Sequence, residues 1–354
     1  MMDMNGIIST LIDALNALEK AFRKLHPLAI TQLREGLLVH VQPLEAVRQT
    51  LISGHQGFED DHTRQDLTRA CELILGAIRT FGMGEDAAQT FMSVLRAVRM
   101  HCRAQETLFA VRNDFIELNK YFLEPSIEPA LGPKVREGGG GTGIVHSGPE
   151  DDPYARGVYS LFIPETYTRE RSWPLVVALH GGYGHGRDFL WIWLREARSR
   201  GLVLLAPSSL RQTWSIGNIA EDAVLLARHV REVCSRFNID RNRILLTGIS
   251  DGGTFALGTG ISRGSPYTAI APVSCVLPPV DLEHARGRRI YWVHGEHDWM
   301  FPVGRAIKAC KDLSLAGADV RLKIVPDLSH AYPREENDSI LRWFDPELAP
   351  DRPT

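Results

Sequence analysis

Ile244-Leu245-Leu246-Thr247-Gly248-Ile249-Ser250-Asp251-Gly252-Gly253 is the stretch on which the reading of this chain turns. Its first four residues form a short apolar run, as a buried parallel strand should. Gly248-Ile249-Ser250-Asp251-Gly252 matches G-x-S-x-G, with a helix expected from Ser250 to about Thr259. A sharp strand-to-helix turn would strain the serine backbone and expose its hydroxyl. Gly248 and Gly252 are needed because side chains there would collide across the turn. The helix N-terminus would offer N–H groups and partial positive charge to a developing oxyanion. Ser250 is therefore the candidate nucleophile.

Three further motifs follow short apolar strands. His180-Gly181-Gly182-Tyr183-Gly184 succeeds Leu175–Leu179 and reads as an oxyanion loop, whose glycines let the backbone approach a substrate. One oxyanion donor is expected from the N–H of Asp251, the other from Gly182 or Tyr183. His180 itself reads as a support for that loop. Val293-His294-Gly295-Glu296-His297-Asp298 supplies a carboxylate, with Asp298 the candidate and Glu296 the alternative. Asp327-Leu328-Ser329-His330-Ala331-Tyr332-Pro333 supplies His330 as the base. A serine hydroxyl is a weak nucleophile without such a base, and a carboxylate fixes the histidine tautomer. Trp214 and Trp299, with Met300 and Phe301, are candidate apolar walls of a substrate pocket. His294, His297 and Asp298 superficially resemble metal ligands. They share one loop and no second ligand cluster accompanies them, so no metal is expected.

Beyond residue 150 strands and helices alternate. Strands are expected at 157–164, 175–179, 202–206, 244–247, 269–273, 290–293 and 320–325. Helices are expected at 188–200, 220–237, 303–316 and 335–344. Such alternation means a mostly parallel sheet with helices on both faces, and in such sheets ligands bind at the carboxyl ends of the strands. All four motifs fall at such ends.

Residues 1–125 read differently. Ile8, Leu11, Ile12, Leu15, Leu18, Phe22 and Leu25 recur at helical steps, and Ile30 to Leu51 continue the pattern. Pro43 is expected to open a separate helix. A segment around Leu67–Ile78 ends near Gly82 and Gly84, and an apolar stripe from Phe91 to Phe122 predicts one long helix over 85–122. These make an N-terminal helical bundle, read as a cap or an oligomerisation module; the second option implies a homodimer. Residues 126–150 carry Pro125, Pro129, Pro133 just before or within them and the run Gly138 to Gly141, and read as a linker; 151–354 is the catalytic domain. A phosphate loop is excluded there, since no Lys-Ser/Thr follows the glycines.

Composition narrows the classes. The chain has 354 residues, 44% hydrophobic, with a formal net charge of −3, which points to neither nucleic acid nor an anionic membrane surface. Five scattered cysteines without a CxxC pair suit a reduced, cytoplasmic protein. Asp3, Asp13, Glu19 and Lys20 interrupt the apolar residues where a secretory signal would lie, and stable membrane insertion is not expected.

Residues of about 150 to 345 resemble bacterial α/β-hydrolase esterases of the phospholipase/carboxylesterase group, and are similar to esterase-D and polyhydroxybutyrate-depolymerase-like proteins. HGGYGHG at 180–186, TGISDGG at 247–253, HGEHDWMFP at 294–302 and LSHAYP at 328–333 carry the likeness. The resemblance implies an α/β-hydrolase fold and a serine carboxylesterase that cleaves small to medium acyl esters through an acyl-enzyme, with no cofactor. A small-molecule ester is then the partner. A peptidase, or a thioesterase or acyltransferase, would use the same machinery. A non-catalytic binding protein would usually have lost the serine or the histidine. The short segment between Val273 and Ile290 leaves no room for a lid, which is why the bundle is read as a cap.

Overall fold

The computed structural model describes residues 3–53, 61–125 and 141–348. The chain divides into two compact units, Met1–Lys134 and Val135–Thr354.

Unit 1 is helical. It contains α1 (Met4–Arg23), α2 (Ile30–Leu38), α3 (Val41–Ile52), α4 (Asp61–Thr80), α5 (Ala87–Ala110) and α6 (Ile116–Tyr121). Local chemistry sets several starts. The Asp3 carboxylate accepts from Gly6 N at 2.8 Å, and Asp86 accepts from Gln89 N at 2.8 Å while Gln89 Oε1 accepts from Glu85 N. Such caps satisfy amides that a helix start leaves unpaired. Pro43 lies in the first turn of α3. The apolar stripes meet inside: Leu11, Leu15, Leu18, Leu44, Val47, Leu67, Ile74 and Phe122 are fully buried.

The single helix expected over 85–122 is two. A 3-10 turn at Arg112–Asp114 and an extended Phe115 (φ −136°, ψ 118°) separate α5 from α6. Asn113 and Asp114 favour turns because their short polar side chains compete with the helical ladder. The buried guanidinium of Arg112 folds back and donates to Phe109 O, which also accepts the Val111 amide at the helix end. The apolar period runs on through the break, which is why periodicity alone missed it.

Unit 2 is an eight-stranded sheet with helices. In chain order it runs β1 (Gly143–His146), β2 (Tyr159–Ile163), β3 (Trp173–Leu179), α7 (Gly186–Arg200), β4 (Val203–Pro207), α8 (Ala220–Arg236), β5 (Ile239–Ile249), α9 (Asp251–Ile261), β6 (Ala269–Val273), β7 (Arg289–Gly295), α10 (Val303–Leu315), β8 (Asp319–Val325) and α11 (Asn337–Phe344). The spatial order is β1-β2-β4-β3-β5-β6-β7-β8. β1 and β2 run antiparallel to their neighbours; β4, β3, β5, β6, β7 and β8 pair in parallel. This is an α/β-hydrolase fold, with a mostly parallel sheet as the sequence pattern implies.

Strand β1 corrects one boundary. Residues 126–150 were expected to be a linker, yet Gly143–His146 pairs with Ile163–Ser160 and belongs to the sheet. Four residues behind a glycine run carry too little alternation to be seen. The expected linker glycines 138–140 lie outside the described residues. Elsewhere β3 and β4 are buried along their whole length, as strands covered on both faces must be. The core gathers Leu175, Val177, Val203, Leu205, Ile244, Leu246, Phe255, Ile270, Ile290 and Trp292 between sheet and helices. At the edge, β8 alternates between exposed Asp319, Arg321 and Lys323 and half-buried apolar residues. All five cysteines are free; Cys71, Cys102, Cys275 and Cys310 are buried. Among the described residues no helix is long and apolar enough to cross a membrane.

Gly36 offers a direct test of unit 1. It sits in α2, exposed, and a Cβ there would meet nothing within 4 Å. Gly36→Ala should stabilise that unit by about 0.5–1 kcal/mol, because alanine loses less backbone entropy in a helix. The check is thermal unfolding followed by far-UV circular dichroism; a lowered midpoint would contradict the placement of Gly36 in an unstrained helix.

Candidate active site

The strand-to-helix turn after β5 is as sharp as its sequence implies. Ser250 has φ 55° and ψ −120°, one of three described non-glycine residues with positive φ. Its N–H donates to Val273 O at 3.0 Å. A Cβ on Gly248 would lie 2.7 Å from the Gly252 carbonyl, and one on Gly252 would run into the carbonyl oxygens of His180 and Leu179. Both positions therefore require glycine. Ser250 itself stays partly exposed.

The loops at the ends of β7 and β8 bring two further groups to it. His330 Nε2 lies 3.0 Å from Ser250 Oγ. His330 Nδ1 lies 2.9 Å from Asp298 Oδ2 and 3.1 Å from Oδ1. Because the carboxylate can only accept, Nδ1 carries the proton and Nε2 is left to accept from the serine. Asp298 is buried, and its Oδ1 also accepts from Met300 N at 3.0 Å and Phe301 N at 2.8 Å. Burial works against its charge, but the His330 hydrogen bond and charge, the Phe301 amide and His294 outweigh it and hold the carboxyl below its ordinary range. Glu296, the alternative acid, is exposed, as is His297.

His294 is buried beneath this loop. The indole N–H of Trp292 donates to its Nδ1 at 3.3 Å, so Nε2 carries the proton and donates to Phe301 O at 2.7 Å. Its Nε2 is also 3.5 Å from Asp298 Oδ2. Desolvation lowers its basicity, in keeping with a neutral ring. The histidine loop is pinned to the acid loop by His297 N donating to Leu328 O at 3.0 Å. It is held on its other side by Tyr332, whose hydroxyl donates to Asn337 Oδ1 at 2.8 Å.

The glycine loop after β3 lies against the same turn. Of the two candidate oxyanion donors on it, Tyr183 is ruled out: its N–H is committed to Gln212 O at 2.7 Å. Tyr183 itself takes a positive φ of 61°. The amides of Gly182 and Asp251 have no acceptor among the described residues. A Cβ on Gly182 would sit 2.8 Å from Asp251 Oδ2, so any side chain there would have to displace that carboxylate. His180 supports the loop from below. Its Nδ1 donates to Gly181 O at 2.7 Å and its Nε2 accepts from Ser209 N at 3.1 Å.

The two tryptophans differ. Trp214 is almost fully buried, stacks on Phe255 (centroids 4.9 Å apart, 20° between planes) and donates from Nε1 to His180 O at 2.8 Å. It is foremost a brace, which its apolar ring in a polar loop did not reveal. Its edge helps line an open pocket of about 370 Å³ formed by residues 211–215 with Glu221 and Asp222. Trp299 is 48% exposed, with its ring centroid 6.4 Å from that of His330, and remains available to a substrate. Sequence reasoning passed over Thr213 and Asp222, both in this loop region and both hydrogen bonded within it. Neither lies in a motif, and only the folded loop shows what they hold.

Desolvation lowers the His180 pKa from 6.5 to about 3. The folded chain thus refuses a proton that the unfolded chain accepts, and stability present above about pH 6.5 is lost as pH falls toward 3. His180→Gln should remove up to about 1.4 kcal/mol per pH unit of that loss. All seven tryptophans lie in unit 2, so urea unfolding followed by tryptophan fluorescence at pH 7 and pH 5 reads this directly. An unchanged pH dependence would show that His180 is protonated in the fold.

Residues 213–345 match the sequence model of a family described as Phospholipase/Carboxylesterase. Similar solved structures include a thermostable esterase, at 23% identity and TM-score 0.45, covering 53% of this chain and 58% of that one. Esterase PE8 gives 20% identity and 0.43, covering 52% and 95%. Esterase 2 of Thermogutta terrifontis, phosphorylated by paraoxon, gives 17% and 0.47, covering 55% and 91%. The match spans 58% of the length of the first of these. The stretch from residue 213 to 345 matches the phospholipase/carboxylesterase pattern and contains three of the four motifs that carry the resemblance; HGGYGHG at 180–186 lies outside it.

Proposed function

We propose that unit 2 is a serine carboxylesterase that works through an acyl-enzyme, with Ser250 as nucleophile, His330 as general base and Asp298 as its orienting acid. The observation that carries this reading is the continuous hydrogen-bonded line from Ser250 Oγ through His330 to Asp298. Ser250 Oγ attacks the ester carbonyl and passes its proton to His330 Nε2. The carbonyl oxygen becomes an oxyanion and receives the amides of Asp251 and Gly182. His330 returns the proton to the leaving alcohol, and a water deprotonated by His330 then releases the acid and regenerates the serine.

Asp298 stays ionised throughout. Its depressed pKa keeps it charged at neutral pH, where it stabilises the transient imidazolium. Trp299, half-exposed beside His330, lies where the group that His330 protonates would leave, and we assign it to the alcohol side of the substrate.

A series of p-nitrophenyl acyl esters, set against aminoacyl amides and thioesters, tests the reaction class. Ester turnover should dominate, Ser250→Ala should lower kcat on the order of 10⁴-fold or more, and a fluorophosphonate should label Ser250 alone. A wild-type chain that neither turns over an ester nor takes the label would end this reading in favour of a binding protein. Trp299→Ala should raise KM for esters of bulky alcohols roughly threefold to tenfold, and less for methyl esters. An equal effect on both would remove Trp299 from the alcohol site.

A further inference from the structure

Three consecutive residues of the loop after β4 each tie down a different part of the oxyanion cradle. Gln212 O accepts the Tyr183 amide at 2.7 Å, Thr213 Oγ1 donates to Asp251 Oδ2 at 2.5 Å, and Trp214 Nε1 donates to His180 O at 2.8 Å. The loop has a firm base of its own. The buried carboxylate of Asp222 accepts from Leu210 N and Ser215 N, both at 2.8 Å, and Trp214 stacks on Phe255 of α9. Glycine turn and nucleophile turn are thereby stitched to one strap.

Within that strap, the Thr213 bond has a distinct electrostatic task. Asp251 supplies an oxyanion amide from its backbone, but its side chain is an anion, with Oδ2 so close to Gly182 that a Cβ there would lie 2.8 Å away. A full negative charge beside the place where an oxyanion forms would raise the barrier to reaction. A hydroxyl donating to that carboxylate disperses part of its charge and fixes its rotamer.

We infer that Thr213 is a positioning residue of the oxyanion hole: its hydroxyl restrains and partly neutralises the Asp251 carboxylate so that the Gly182 and Asp251 amides meet the tetrahedral intermediate. This rests on the serine-esterase reading above. Its contribution is felt in the transition state rather than in substrate binding.

The test compares Thr213→Val, Thr213→Ser, Asp251→Asn and the double variant Thr213→Val/Asp251→Asn in the full chain, on one p-nitrophenyl ester. Thr213→Val should lower kcat about tenfold to a hundredfold with KM changed by less than about twofold. Thr213→Ser, which keeps the hydroxyl, should stay within about threefold of wild type. Adding Asp251→Asn to Thr213→Val should recover part of the loss, because the amide carries no charge. Thr213 is only half-buried, and unfolding midpoints by tryptophan fluorescence run alongside. Thr213→Ala replaces the valine variant if that one does not fold. A Thr213→Val enzyme with unchanged kcat, a loss shared equally by Thr213→Ser, or no recovery in the double variant would overturn the inference. In each case wild-type turnover leaves the esterase reading standing; absence of wild-type turnover would instead end that reading.

Discussion

Ser250 is held at a positive φ, a conformation that costs a residue bearing a Cβ about 1–3 kcal/mol. Everything around it keeps the backbone there. β5 and β6 deliver the Ser250 amide to Val273 O, α9 begins on the next residue, and two glycines remove the atoms that would force the turn open. The strain leaves the Ser250 side chain partly exposed at the turn between β5 and α9. Geometry of this kind tolerates little drift, so the neighbouring loops are held by their own bonds rather than left to pack passively.

Those loops come from the carboxyl ends of β3, β4, β7 and β8, and they share a common electrical logic. Buried Asp298 and Asp222 are both met by backbone donors, and Asp298 also by His330. Buried His180 and His294 each have one ring nitrogen donating to a backbone carbonyl and the other accepting, the pattern of a neutral ring. His330, half-buried, is in hydrogen-bonding distance of both the serine and the aspartate. Under the proposed esterase reading, that ring is the one placed to take up and return a proton.

Much of this was readable from the residues alone, for a physical reason. Chemistry that depends on backbone geometry leaves glycines at fixed offsets, as in Gly248-Ile249-Ser250-Asp251-Gly252 and His180-Gly181-Gly182. Buried parallel strands leave uninterrupted apolar runs such as Leu175–Leu179. What escaped was whatever depends on where a loop goes. Tyr183 and Gly182 are adjacent, and only the path of residues 210–215 decides which amide is already taken. Trp214 looked like a pocket wall because composition does not say which face of an indole is covered. The break at Arg112–Asp114 and the four-residue β1 carry too few residues for a period to register.

The cysteines have a practical consequence. Burial pushes the thiols of Cys71 and Cys310 up to about 12, and that of Cys275 well above its ordinary value. Sulfur reacts as thiolate, so in the native state these positions are chemically silent at neutral pH. Cys71 belongs to unit 1, Cys275 and Cys310 to unit 2. Alkylation at each sulfur therefore reports the transient opening of its own unit, and the chain carries built-in markers of local unfolding in both halves.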